Sequence, residues 1–137
     1  MKKLIGVLFL TILMAGCANS RIIYQPTLKN ADEFSEIIVY RNFMFLGSAL
    51  LTHLSIDGIP TAEFEGGECV SIKVNPGEHI VTTVNPVNVS IADRKNYKVN
   101  EAYYFDATYE RRKETGGLPE IDAISARKAM ESLKKVN

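Results

Sequence analysis

Between residues 36 and 110 the chain repeats one pattern, in which short runs of alternating apolar and polar side chains are broken by turn residues. Successive side chains of an extended strand point to opposite faces, so each run offers one apolar face that has to be buried against another. Thr52 to Asp57 turns Leu54 and Ile56 one way and His53, Ser55 and Asp57 the other. Asp57-Gly58 then supplies the positive backbone angles of a tight hairpin, returning through Thr61 to Glu65 with Ala62 and Phe64 on the apolar face. After Gly66-Gly67, Cys69 to Val74 alternates again, with Val70, Ile72 and Val74 inward and Cys69, Ser71 and Lys73 outward. Pro76-Gly77 predicts a type II turn and a second hairpin with His79 to Val84. Pro86 and the polar stretch Asp93 to Asn96 interrupt a weaker strand. Ala102 to Glu110 then places Tyr103, Phe105, Ala107 and Tyr109 on one face, and Glu120 to Ile124 adds a last strand.

Two segments depart from this alternation. Glu36 to Arg41 carries Ile37, Ile38, Val39 and Tyr40 in succession, which predicts a central strand covered on both faces. Near the C-terminus the period changes: Ala126, Ala129, Met130 and Leu133 fall on one helical stripe, with Ser125 as the expected N-cap. Arg127, Lys128, Lys134 and Lys135 take the other face, where late cations complement the helix dipole. The expected fold is therefore mainly β, a small antiparallel β-sandwich with one short C-terminal α-helix. Residues 31–137 form its single domain, too short for two cores.

The N-terminus is organised differently. Lys2 and Lys3 precede an apolar run from Leu4 to Met14, and Ala15-Gly16 stand before Cys17. The run falls short of the ~20 residues of a spanning helix and has the three-part order of a signal peptide. It resembles the lipobox of bacterial lipoproteins, with Met14 where that pattern usually has Leu. The resemblance implies removal of residues 1–16, acylation of Cys17, and stable attachment to a membrane through several chains. Ala18, in place of the Asp that favours inner-membrane retention, implies the inner leaflet of the outer membrane, facing the periplasm. Residues 17–30, rich in Asn, Ser, Gln and Pro, are expected to form a lipidated tether. Without Lys2 and Lys3 the chain carries 14 basic and 16 acidic side chains, a net charge near −2, which gives no basis for binding nucleic acid. With Cys17 assigned to lipid, Cys69 is expected as a partly covered, inert thiol.

The strongest candidate for partner contact is the apolar segment from Asn42 to Leu51, above all Phe43, Met44, Phe45 and Leu46. Large apolar groups gathered in one loop either mark an interaction surface or close the open end of a sandwich. Catalytic readings are weaker. His53, Ser55 and Asp57 lie ~7 Å apart at alternate strand positions, against the ~3 Å that a nucleophile and base require. Two histidines without ligand spacing give no basis for a metal, even if His79 approached His53 and Asp57 from another strand. Cys69 beside His53 or His79 would make a Cys-dependent hydrolase, although Cys69 opens a strand rather than the helix that would activate it. Tyr40, Tyr103, Tyr104 and Tyr109 would offer stacking faces to a carbohydrate or peptidoglycan if exposed. No cofactor, metal or catalytic residue is expected. The sequence reads as a membrane-anchored envelope module that binds or scaffolds an envelope protein or peptidoglycan.

The order Val39-Tyr40-Arg41, Gly47-Ser48, Ile56-Asp57-Gly58, Val74-Asn75-Pro76-Gly77-Glu78-His79 and Tyr103-Tyr104 resembles a family of small bacterial lipoproteins without assigned activity. From about Glu36 onward the resemblance implies a β-sandwich like those of PEGA-type and carboxypeptidase-regulatory-like domains. It carries no catalytic residues onto this chain.

Overall fold

Every residue of β2 (Ser35–Tyr40) is buried in the computed structural model, which describes residues 20–42, 50–85, 89–92, 94–108 and 118–136. The unbroken apolar run of this strand has its cause in position. β2 lies inside a four-stranded sheet of order β11 (Glu120–Ile121), β10 (Ala102–Asp106), β2, β5 (Cys69–Val74). One face of that sheet sends Ile37, Val39, Val70, Ile72, Val74, Tyr103 and Phe105 into the main core. The other sends Ile38, Tyr40, Cys69 and Tyr104 against Ala126, Ala129 and Met130 of the helix α1 (Ala123–Val136).

The main core is closed by a second sheet of five strands, in the order β1 (Arg21–Ile22), β4 (Ile59–Phe64), β3 (Thr52–Ile56), β7 (Val81–Val84), β8 (Val89–Ile91). Leu54, Ile56, Ala62, Phe64 and Val81 are its inward side chains. Each buried Leu, Ile, Val or Phe contributes roughly 1.5–3 kcal/mol relative to exposure, so packing the two sheets together drives the fold. A small third sheet joins β6 (Gly77–His79) to β9 (Lys95–Tyr97) at one end. The result is a β-sandwich with a helix on its outer side.

The β3–β4 hairpin forms at the expected turn, with positive φ at both Asp57 (54°) and Gly58 (79°). Its register shifts between Leu54 and Ser55, so that Thr61 is an extra residue on β4, a β-bulge. Tyr103, Phe105 and Ala107 share the core face as their alternation predicts.

The sandwich is mainly antiparallel as expected, and four details differ from expectation. First, one strand pair is parallel: β10 runs alongside β2, from Ala102 opposite Glu36 to Asp106 opposite Tyr40. Local alternation fixes which face is buried but leaves strand direction to the long connection between β2 and β10. Second, Pro76-Gly77 does not close a hairpin. β5 pairs with β2, β6 with β9, and β7 with β3 and β8. Gly77 has φ 129°, far from the type II value near 80°, and the chain crosses here from one sheet to the other. Third, Asp122 rather than Ser125 caps the helix: its Oδ1 accepts the Ser125 backbone N–H at 2.9 Å. Asp122 lies between β11 and the first helical residue, Ala123, at the N-cap position, whereas Ser125 is already inside the first turn.

The fourth concerns the tether. Residues 21–29 are bound to the domain. Arg21 and Ile22 pair with Glu63 and Ala62 on β4. The Thr61 carbonyl, turned out by the bulge, accepts the N–H groups of Ile23 (2.8 Å) and Tyr24 (3.1 Å). Gln25 Nε2 then donates to the Lys73 carbonyl at 2.7 Å, along the outer edge of β5. The segment covers two strand edges that would otherwise expose unpaired backbone groups.

Candidate functional site

The turn that closes the first hairpin also builds the most developed polar site among the described residues. With its backbone in the left-handed region, Asp57 turns its carboxylate across the end of the sandwich. Oδ1 accepts the Ile80 backbone N–H at 2.8 Å, and Asp57 N donates to the Ile80 carbonyl at 2.9 Å. Oδ2 lies 2.6 Å from His79 Nδ1, and the other ring nitrogen, Nε2, lies 2.6 Å from the Asn75 carbonyl oxygen. Asn75 in turn donates from Nδ2 to the Thr27 carbonyl (2.9 Å) and accepts the Lys29 N–H at Oδ1 (2.7 Å). One chain of bonds therefore links the β3–β4 turn, the crossover and the N-terminal segment.

Beside this network lies an open-sided cavity of about 240 Å3, walled by Tyr24, Pro26, Ile56, Ile59, Val74 and His79. Burial alone would raise the Asp57 pKa, but the His79 and Ile80 hydrogen bonds, helped by the positive charges of His79 and Arg94, bring it below the ordinary value. Both His79 nitrogens are occupied, one by the Asp57 carboxylate and the other by the Asn75 carbonyl, so neither is left facing a ligand. Thr61 Oγ1 is also engaged, with the Ile59 carbonyl at 2.8 Å. The cavity thus offers mainly apolar walls, and the Asp57, Thr61, Asn75 and His79 side chains that also line it are hydrogen-bonded, which suits it to holding an apolar group.

The structure separates the other groups singled out in the sequence. His53 lies 3.4 Å from Glu63 on the outer face of the five-stranded sheet, away from His79. No cluster of three or more metal-ligating side chains occurs among the described residues. Cys69 is 1 % exposed, packed with Ile38, Tyr40, Tyr104 and Ala126 under the helix. It is disulfide-bonded, which corrects the expectation of a thiol. Tyr40, Tyr103 and Tyr104 are buried and offer no stacking face; Tyr109 lies outside the described residues.

Cys17, Phe43, Met44, Phe45 and Leu46 also lie outside the described residues, whereas both flanks of the apolar loop are fixed. Buried Arg41 donates through Nη1 to the Leu50 carbonyl and to Thr52 Oγ1 at 3.2 Å. Burial lowers its pKa more than the charge of Glu65 raises it. Asn42 N donates to Thr108 Oγ1 at 3.0 Å, so the loop leaves and rejoins the domain at bonded positions.

Sequence reasoning brings Asp57 and His79 together only with His53, as a metal set for which there is no basis; the structure pairs Asp57 with His79 without His53, and Asn75 and Tyr24 were missed. The available signal was chemical: an Asn at a strand end before proline commonly bonds a neighbouring backbone. No family model, curated protein or solved structure matches this chain.

Proposed function

We propose that this chain is a lipid-anchored module of the bacterial cell envelope that binds or scaffolds a partner close to one membrane, without catalysing a reaction. The observation that carries the reading is the order of Lys2-Lys3, the apolar run Leu4 to Met14, and Ala15-Gly16-Cys17 ahead of a folded β domain. The docking of residues 21–29 supports it, because a domain bound to its own N-terminal segment stays near whatever that segment is anchored to. The partner surface is the loop containing Phe43, Met44, Phe45 and Leu46, and the partner is an envelope protein or the peptidoglycan. The location is the periplasmic face of the outer membrane.

The test is the mass and location of the protein made in a diderm bacterium. The mature chain should begin at Cys17, carry diacylglycerol, and sediment with membranes; Cys17→Ala should stay at precursor mass. A wild-type chain without lipid on Cys17 overturns the reading. A thioether and a disulfide compete for one sulfur, so spectra taken before and after reduction also show which bond Cys17 makes. A photo-crosslinking side chain at Phe45 should then give discrete adducts in the envelope.

A further inference from the structure

The N-terminal edge of the five-stranded sheet carries a concentration of exposed apolar side chains. Ile22 and Ile23 are each 50 % exposed, Ile59 49 % and Tyr24 43 %. They are gathered by backbone pairing around one point: Ile22 lies opposite Ala62, while Ile23 and Tyr24 both donate to the Thr61 carbonyl. Tyr24 and Ile59 meet again in the wall of the 240 Å3 cavity. The other large exposed apolar side chains among the described residues are dispersed. Ile124, for example, follows β11, at the opposite edge of the four-stranded sheet from β5, along which the N-terminal segment runs.

From these observations we infer that the corner formed by β1, Tyr24 and the start of β4 is the face that meets the lipid surface, with Ile22, Ile23, Tyr24 and Ile59 entering its interfacial region. The inference rests on the lipidation of Cys17 proposed above. Chain length supplies the argument. Four peptide units separate Cys17 from Arg21, a span of at most ~14 Å when fully extended. The head-group layer on each side of a bilayer is itself roughly 5–8 Å thick, so β1 cannot leave the neighbourhood of the membrane. Nor can the patch swing free of the domain, because residues 21–29 are bonded to β4, Lys73 and Asn75. Its composition also fits: three isoleucines and a tyrosine beside Arg21, which is 81 % exposed at the side chain, combine apolar surface with groups that favour the water–lipid boundary. The anchor brings this edge to the membrane, and the patch fixes which side of the domain faces it.

The chain contains no tryptophan, so a single introduced one reports depth directly. Ile59→Trp and the more conservative Tyr24→Trp place it in the patch; Ile124→Trp is the control. Each lipidated full-length variant is reconstituted in phosphatidylethanolamine–phosphatidylglycerol vesicles with and without acyl-brominated phospholipid. At interfacial depth, both patch reporters should lose about half their emission to bromine and shift to the blue, while the control is nearly unaffected. Patch reporters unquenched in a protein whose mass shows lipid on Cys17 overturn this inference and leave the anchoring intact. Equal quenching of the control overturns it too, as does a blue shift without quenching, which would place the patch against a second copy. Absence of lipid on Cys17 overturns both proposals.

Discussion

His79, at the end of β6, and Asp57, in the β3–β4 turn, lie 22 residues apart in sequence, yet their Nδ1 and Oδ2 atoms stand 2.6 Å from each other. The Asp57 side chain is 44 % exposed and that of His79 16 %, so the pair sits at the rim of the sandwich, where the chain crosses between sheets. Its second bond, from His79 Nε2 to the Asn75 carbonyl, ties the end of β5 into the same corner. The pair serves as a clamp, which explains why a histidine and a carboxylate in contact need not mark a catalytic site.

This clamp should make stability depend on acid. The folded-state pKa of Asp57 is depressed, so its contribution is fully present above the ordinary carboxylate value near ~4 and is lost as pH falls through the lower folded value. Asp57→Asn keeps a side chain that tolerates the left-handed turn but removes the charge. Discounted for its partial exposure, the loss near neutral pH should be about 1 kcal/mol. Urea unfolding of both proteins from neutral to acid pH checks this: the gap between them should close in acid. A gap that stays constant would show that the carboxylate charge plays no part.

Tyr97 supplies a test of opposite sign. Its ring is packed edge-on against Tyr103 at 4.7 Å, it is 1 % exposed, and its hydroxyl has no hydrogen-bond partner among the described residues. Burial first, then the nearby Glu120, Tyr103 and Asp57, push its pKa well up, so the hydroxyl stays neutral. An unmade buried hydrogen bond costs about 1–3 kcal/mol, and Tyr97→Phe removes the group while keeping the ring. The variant should match or exceed wild type in its urea midpoint. A clear loss of stability would mean that the hydroxyl has a partner.

These residues also show how much could be read in advance. Alternation identified the core-facing side chains of β3, β5 and β10, because strand periodicity is a local property of the chain, but not Cys69 and Tyr104, which the helix buries on the opposite face. The Asp57-Gly58 turn was legible for the same reason. The destination of β6 was not: Pro76-Gly77 has the residues of a type II turn, but the backbone of β6 finds its partner in β9, 16 residues beyond at the nearest pair, His79 and Lys95. Pairing between distant segments depends on the whole sheet order, which no local pattern contains. Asp57 and His79 were visible as chemically capable groups, whereas Asn75 became part of the site only once the crossover brought the N-terminal segment over it.

The two glycines with open surroundings separate backbone strain from crowding. A Cβ at Gly58 or at Gly77 would meet nothing within 4 Å, so any cost of substitution comes from the backbone. Gly58 has φ 79°, close to the left-handed basin that Asn tolerates, and Gly58→Asn should be nearly neutral. Gly77, at φ 129°, lies outside that basin, and Gly77→Ala should cost about 1–3 kcal/mol. Urea midpoints rank the pair; equal midpoints would mean that the crossover backbone can relax.

The bound N-terminal segment gives the sharpest test of how the domain is held. Asn75 is its main side-chain attachment, accepting the Lys29 N–H at 2.7 Å and donating to the Thr27 carbonyl at 2.9 Å. Both bonds are exposed, so Asn75→Ala should lower global stability by only about 1 kcal/mol. Its local effect should be larger, because a segment held by few bonds opens separately from the core. Amide exchange should quicken at Lys29, and limited trypsin digestion should cut after Lys29 before any site within the sandwich. Exchange at Ile23 and Tyr24 should stay slow, since the Thr61 carbonyl still holds them. If exchange and cleavage match wild type, Asn75 does not fasten the segment. If Ile23 and Tyr24 open as well, residues 21–29 detach as one unit and the free tether is longer than the pairing of β1 with β4 implies.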